Sequence, residues 1–192
     1  MTRLRLFNYC DHHRPPVVVL SEAFDGGAMT PLPWKVVKRL PHWGYHPFEF
    51  SAEPRLCLSD GDGNFNPGRE LGLGETLTIS GQRQCQKAPA NSSEIAVDNR
   101  SDTGFGAWLY RARQASGYRA LGPRQQLRLR PQSRLCLTTA LSWRPWDFPD
   151  PGAQPTYFSL TGIASADILL VGGGAGRDSG PFRFHLENII RC

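Results

Sequence analysis

No apolar run in this sequence approaches the roughly 20 residues that a helix needs to cross a bilayer, so no transmembrane segment is expected. The opening stretch, MTRLRLFNYCDHH, carries positive charge but neither a continuous apolar segment nor a small-residue cleavage site, which argues against a secretory signal. No CxxC pair exists, and that spacing excludes a zinc ribbon. The five cysteines, Cys10, Cys57, Cys85, Cys136 and Cys192, are odd in number and widely spread, as the reduced thiols of a cytoplasmic protein are. Sustained helical periodicity is missing too, because twenty Gly and sixteen Pro interrupt nearly every run before a long helix could form. GxSxG, HxH and HExxH are absent, so no local motif activates a nucleophile or fixes a metal, and no catalytic residue is assigned.

What is present is period-two alternation. ETLTIS sets Leu77 and Ile79 against Thr76, Thr78 and Ser80, and QQLRLRP sets Leu127 and Leu129 against Arg128 and Arg130. PFRFHLENII alternates Phe182, Phe184 and Leu186 with Arg183, His185 and Glu187. Such segments are half-buried strands, apolar inward and polar outward. PPVVVL, WKVVKRL, the two RLCL copies, SEIAVDNR, GAWLYRAR, YFSLTGI and DILLVG are further strand candidates, and GDGNFNPG and ASGYRALGP read as turn-rich spacers. Roughly ten short strands at such spacing predict an all-β fold with little helix: a single-domain antiparallel β-sandwich, Ig-like or jelly-roll-like, over residues 1–192. At an offset of fifty, LGLGETLTISGQ lies over LGPRQQLRLRPQ, as expected of two similar hairpin units in one sandwich. Cys57 and Cys136, each inside RLCL, read as core or strand residues rather than nucleophiles.

Two places invite a metal. In LSDGDGNFNPGREL, Asp60, Asp62 and Asn64 alternate as calcium ligands do. A helix-loop-helix site needs Gly at its sixth position and Glu at its twelfth, whereas here Phe65 is sixth, Glu70 is eleventh, and strands flank the loop. A strand-loop calcium site is the surviving functional reading, set against ordinary turn chemistry, which favours Asp, Asn and Gly. The histidines of CDHHR and HWGYHPFEF offer a transition-metal site through His13, His42 and His46, with His42 and His46 on one face of an extended strand. The alternative is loop and surface histidines beside Trp43 and Tyr45. Neither motif dictates a cofactor, and none is assigned. The run ILLVGGGAGRDSG fails the dinucleotide fingerprint, since Arg177 or Ser179 stands where the third Gly belongs and a strand pattern follows; it reads as a hairpin loop.

Charge is unevenly placed. The formal net charge is +5, and from Arg100 to Arg144 there are nine Arg residues and one acid, Asp102. Arg111 with Arg113, and Arg128 with Arg130, pair by parity on strand faces, and Trp108 is interleaved with them. These residues form a candidate basic, aromatic-bearing surface for nucleic acid or another anionic partner. The proline-rich SWRPWDFPDPGAQPTYF puts Trp143 and Trp146 on a stiff connection, where they would anchor a partner or cap the core. With no catalytic constellation and many strands with free edges, the sequence favours a non-enzymatic cytoplasmic binding or assembly protein, self-associating or binding a protein partner. The alternatives are a metal-dependent enzyme using the N-terminal histidines and a basic-face module for anionic ligands.

Overall fold

The computed structural model describes residues 1–11, 16–51, 53–80, 85–89, 93–140, 154–174 and 180–192. It is an all-β, sandwich-like protein. Among the described residues the only helical segment is a three-residue 3-10 turn, Asp25–Gly27. The strands group into two compact units, one formed by Met1–Ala23, Pro33–Ser51 and Ser133–Cys192, the other by Phe24–Leu32 and Ala52–Gln132.

Numbered along the whole chain, the first unit holds β1 (Thr2–Asn8), β2 (Val17–Glu22), β4 (Pro33–Val37), β5 (Tyr45–Phe50), β14 (Arg134–Ala140), β15 (Thr156–Ser159), β16 (Ile163–Gly173) and β17 (Gly180–Arg191). They make two sheets, ordered β17-β16-β1-β5 and β15-β14-β2-β4. The second unit holds β3 (Thr30–Pro31), β6 (Pro54–Ser59), β7 (Phe65–Leu71), β8 (Glu75–Ile79), β9 (Cys85–Pro89), β10 (Ile95–Asn99), β11 (Phe105–Arg111), β12 (Gln114–Leu121) and β13 (Gln126–Leu129). Its sheets are ordered β3-β12-β11-β6-β7 and β13-β10-β8-β9. Pairing is antiparallel except for β1 with β16 and β8 with β10.

Alternation explains the layers. In β1 the residues Thr2, Leu4, Leu6 and Asn8 are buried while Arg3 and Arg5 are exposed. Leu4, Leu6, Phe48, Phe50, Ile168 and Leu170 from one sheet meet Val18, Leu20, Trp34, Leu135 and Leu137 from the other. Trp34 fixes the centre edge-on to Phe48 and Phe50. The second unit has a core of its own, built from Leu56, Leu58, Ala107, Leu109 and Leu121 against Leu77, Ile79, Ile95, Val97, Leu127 and Leu129. Fully burying one such Leu is worth about 1.5–3 kcal/mol, so each apolar row holds its sheet in a single register.

The fifty-residue echo has a structural counterpart. Gly72 N donates to Glu75 Oε2 at 2.7 Å, and Gly122 N donates to Gln125 Oε1 at 2.9 Å, so the same side-chain clasp closes both Leu-Gly turns. Before each turn stands a hairpin, β6–β7 or β11–β12; after it comes β8 or β13 in the opposite sheet. β6 and β11 lie antiparallel at the middle of their sheet, while β8 and β13 run oppositely on the two sides of β10. The second unit is therefore an approximate two-fold arrangement of two hairpin-plus-strand pieces.

Two sequence expectations require correction. ASGYRALGP, read as a spacer, forms most of β12, and the end of GDGNFNPG already belongs to β7. In β12 the small residues face inward: Ser116 and Gly117 are buried, and Gly117 has no room for a Cβ beside the Phe24 ring. The glycine run enters the β16–β17 hairpin as expected, with Gly172, Gly173 and Gly174 all at positive φ; residues 175–179 lie outside the described residues.

Candidate functional site

The outer face of the β17-β16-β1-β5 sheet carries a continuous patch of rings. Following the strand registers, Tyr45, Phe7, Leu169 and His185 form one row across the four strands, and Pro47, Arg5, Asp167 and Glu187 form the next. Glu49, Arg3 and Ser165 make a third. Phe7 stacks on Tyr45 with ring centroids 5.4 Å apart and on Tyr9 at 5.8 Å. Tyr9 in turn meets Trp43 at 4.9 Å, and Arg5 lies over the Phe7 ring. Trp43 is 71% exposed and Tyr45 58%, an unusual degree of exposure for two large rings in contact with further rings.

The loop that presents Trp43 is tightly built. Trp43 has φ 63, a left-handed conformation that costs a side-chain-bearing residue roughly 1–2 kcal/mol. Asn8, buried at the end of β1, compensates: its Nδ2 donates to Leu40 O at 2.7 Å and its Oδ1 accepts from Cys10 N at 3.1 Å. Backbone bonds from Trp43 N to Asn8 O and from Asn8 N to Gly44 O complete the clamp. A Cβ at position 44 would stand 2.8 Å from the Pro41 ring, so only glycine lets the chain pass. Strain of this kind, held by buried hydrogen bonds and ending in an exposed aromatic, is characteristic of functional surfaces.

Beside the rings lies a cleft of 560 Å³ whose outer-face walls include Arg3, Arg5, Glu49, Asp167, Asn188 and Ile190. Arg5 grips Asp167 with two prongs, Nε to Oδ1 at 2.7 Å and Nη2 to Oδ2 at 2.8 Å, and Asn188 Nδ2 donates to the same carboxylate. Burial by itself would raise the Asp167 carboxyl, but the hydrogen bonds from Arg5 and Asn188 and the Arg5 charge outweigh it and hold the group below its ordinary value.

Most residues singled out in the sequence lie elsewhere. Asp60 caps its own turn: Oδ1 accepts from Asp62 N at 3.0 Å and Asn64 N at 2.8 Å, and Gly63 takes the positive φ. The β6–β7 loop therefore has the geometry of an Asx turn. The expectation that His42 and His46 share a strand face is wrong, because the chain turns at Trp43–Gly44 and β5 starts only at Tyr45. His42 packs on Trp43 and donates through Nδ1 to Cys10 O, whereas His46 faces inward opposite Leu6, its pKa lowered by burial and by Lys35. Among the described residues no three His, Cys, Asp or Glu side chains gather as a metal site; His13 lies outside them.

The basic surface is dispersed as well. Arg111 is 1% exposed, in line with Phe105, Ala107 and Leu109 on the inner face, and its Nη2 donates to Gln132 O. Its parity match with Arg113 fails because β11 ends at Arg111, and Ala112 and Arg113, both at positive φ, form the two-residue hairpin turn. Arg128 and Arg130 are exposed on the side of the second unit away from Trp108, with the core between them. Trp108 lies among Phe65, Tyr110 and Tyr118, its Nε1 donating to Ser59 Oγ at 3.1 Å. Its indole covers Gly106, where a Cβ would stand 2.9 Å from Trp108 Nε1. Cys57 is on that same face, its thiol pushed up by burial and by Glu70, hence protonated and a poor nucleophile. Trp143 and Trp146 lie outside the described residues.

Phe7, Tyr9 and Asp167 had no place in the sequence-level reading, although TRLRLFN alternates as plainly as any strand in the chain. No family model matches this sequence, and no curated protein and no solved structure matches it significantly.

Proposed function

We propose that this is a non-enzymatic binding protein whose binding face is the outer surface of β5, β1, β16 and β17. The observation that carries the reading is Trp43: an indole 71% exposed, held at φ 63 by a buried Asn8 clamp and continuous with Tyr9, Phe7 and Tyr45. Stacked aromatics with Arg beside them have the residue chemistry of binding hot spots. A reducing compartment, the cytoplasm, fits the free thiols of Cys10, Cys57, Cys136 and Cys192. No helix among the described residues is long and apolar enough to cross a membrane.

A second reading, self-association, is favoured by Ile189 and Ile190, exposed on β17, the edge strand of the same sheet. At the opposite edge, Pro47 sits in β5 and lacks the N–H that an added strand would use, so pairing of copies there is disfavoured. The test is sedimentation of the wild type and of the Trp43→Ala/Tyr45→Ala double variant, with circular dichroism as the folding control. A wild-type oligomer that the double variant dissolves supports assembly through this face. A wild-type monomer overturns self-association as the use of this face, and an oligomer unchanged by the double variant places assembly elsewhere.

A further inference from the structure

We infer that the ligand of this face is an uncharged carbohydrate chain, its sugar rings seated on Trp43 and on Tyr45 in turn and the following hydroxyls bonded in the cleft beside Arg3, Glu49 and Asn188. The inference rests on the proposed binding role of the face and adds the ligand class. Charge decides first. Arg3, Arg5 and Arg183 point outward from this sheet, and so do Glu49, Asp167 and Glu187, a formal sum of zero on a chain whose total is +5. A surface for nucleic acid would concentrate the positive charge rather than cancel it. Here Arg5 is already committed to Asp167, and in the ladder Arg3 stands opposite Glu49.

Shape decides next. Proline-rich peptides seat in slots between separated rings. In this patch the rings touch, with centroids 4.9–5.8 Å apart from Trp43 to Tyr9 to Phe7, and no slot opens between them. The free ring area is therefore the outer surface of Trp43 and of Tyr45 at the ends of the row. A sugar has the matching dual character, an apolar face of C–H groups and an edge of hydroxyls. The indole takes the face. Planar guanidinium, carboxylate and amide groups take the hydroxyl edge, each able to donate or accept in pairs.

The dimensions also fit a chain rather than a single sugar. From Tyr9 to Arg3 the strand runs six residues, about 20 Å at the usual strand rise. The cleft adjoins the ring row directly, since Pro47 follows Tyr45 on the outer face and Arg5 lies two residues from Phe7.

The experiment is calorimetric titration of the full chain with cellohexaose, maltohexaose and chitohexaose, beside an oligo(dT) strand and a polyproline peptide. The expected result is saturable binding of at least one hexasaccharide, unchanged between about 50 and 500 mM salt because no counterions are released. Trp43→Ala should weaken it about tenfold or more, and Trp43→Phe should restore part of that loss. If none of the sugars binds while oligo(dT) or the peptide binds in a Trp43-dependent way, the carbohydrate assignment is overturned and the binding role of the face stands. If nothing in the panel depends on Trp43 while circular dichroism shows the variant folded, both are overturned.

Discussion

Arg5 and Asp167 join two parallel strands that are far apart in the sequence, through paired contacts of 2.7 and 2.8 Å between a guanidinium and a buried carboxylate. Because the folded protein holds the Asp167 carboxyl below its ordinary value of 3.8, this group stabilises the fold above that value. The contribution is lost as pH falls through the lower folded-state value. Urea unfolding of wild type and Asp167→Asn across acid pH should therefore show the wild type ahead above 3.8 and the gap closing as the pH is lowered below it. A gap that stays constant through acid would mean that Asp167 contributes only as a neutral hydrogen-bonding group.

Asn8→Ala should cost about 1–3 kcal/mol, since it leaves Leu40 O and Cys10 N without their side-chain partner in a buried place. The loss should also be local. Hydrogen exchange at the Trp43 amide, bonded to Asn8 O, should quicken more than exchange at Leu6 in the same sheet. Equal quickening at both would indicate general destabilisation rather than release of the loop.

Arg111 and Arg113 should respond in opposite ways to substitution. Arg111→Glu puts a carboxylate where a buried guanidinium donates to Gln132 O, and it should abolish folding or cost about 3 kcal/mol or more. Arg113→Gly relieves a left-handed side-chain-bearing residue in a two-residue turn and should raise stability by up to about 1 kcal/mol. Thermal melts of the two variants decide this directly.

Glu75 and Gln125 perform one task at two places, each accepting from a glycine N–H three residues earlier. Glu75→Gln keeps the acceptor and should change stability by less than about 0.5 kcal/mol. Glu75→Ala and Gln125→Ala should each cost about 0.5–1.5 kcal/mol. A large loss in Glu75→Gln would show that its charge, and not the clasp, matters at the first turn.

The all-β class was legible because alternation is a short-range signal: Leu77, Ile79, Leu127 and Leu129 point inward as their parity requires. The turn role of Asp60 was legible as one of two readings for the same reason, since Asx chemistry closes within four residues. The aromatic face was not. Phe7, Tyr45 and Asp167 become neighbours only through the register of β1 with β5 and β16, which no local pattern encodes. Parity also misleads wherever the backbone turns: counting through Trp43 put His42 and His46 together, and counting past Arg111 put Arg111 beside Arg113. The passage between the two compact units leaves no mark in composition either, because it falls inside short connections such as Leu32–Pro33 rather than in a linker.

The pairing of β1 with β16 sets a schedule for synthesis. Arg5 and Asp167 are 162 residues apart, so at ordinary elongation rates β1 waits on the order of ten to thirty seconds for its parallel neighbour to leave the ribosome. During that interval β5 can already cover one edge of β1, and every strand of the second unit is made before β16. The face that carries Trp43 and Tyr45 can begin to form early on β1 and β5, but the cleft beside it cannot close until β16 and β17 arrive. A nascent chain arrested before Ile163 should therefore display the rings with Arg3, Arg5 and Glu49 but without the Asp167 and Asn188 side of the cleft.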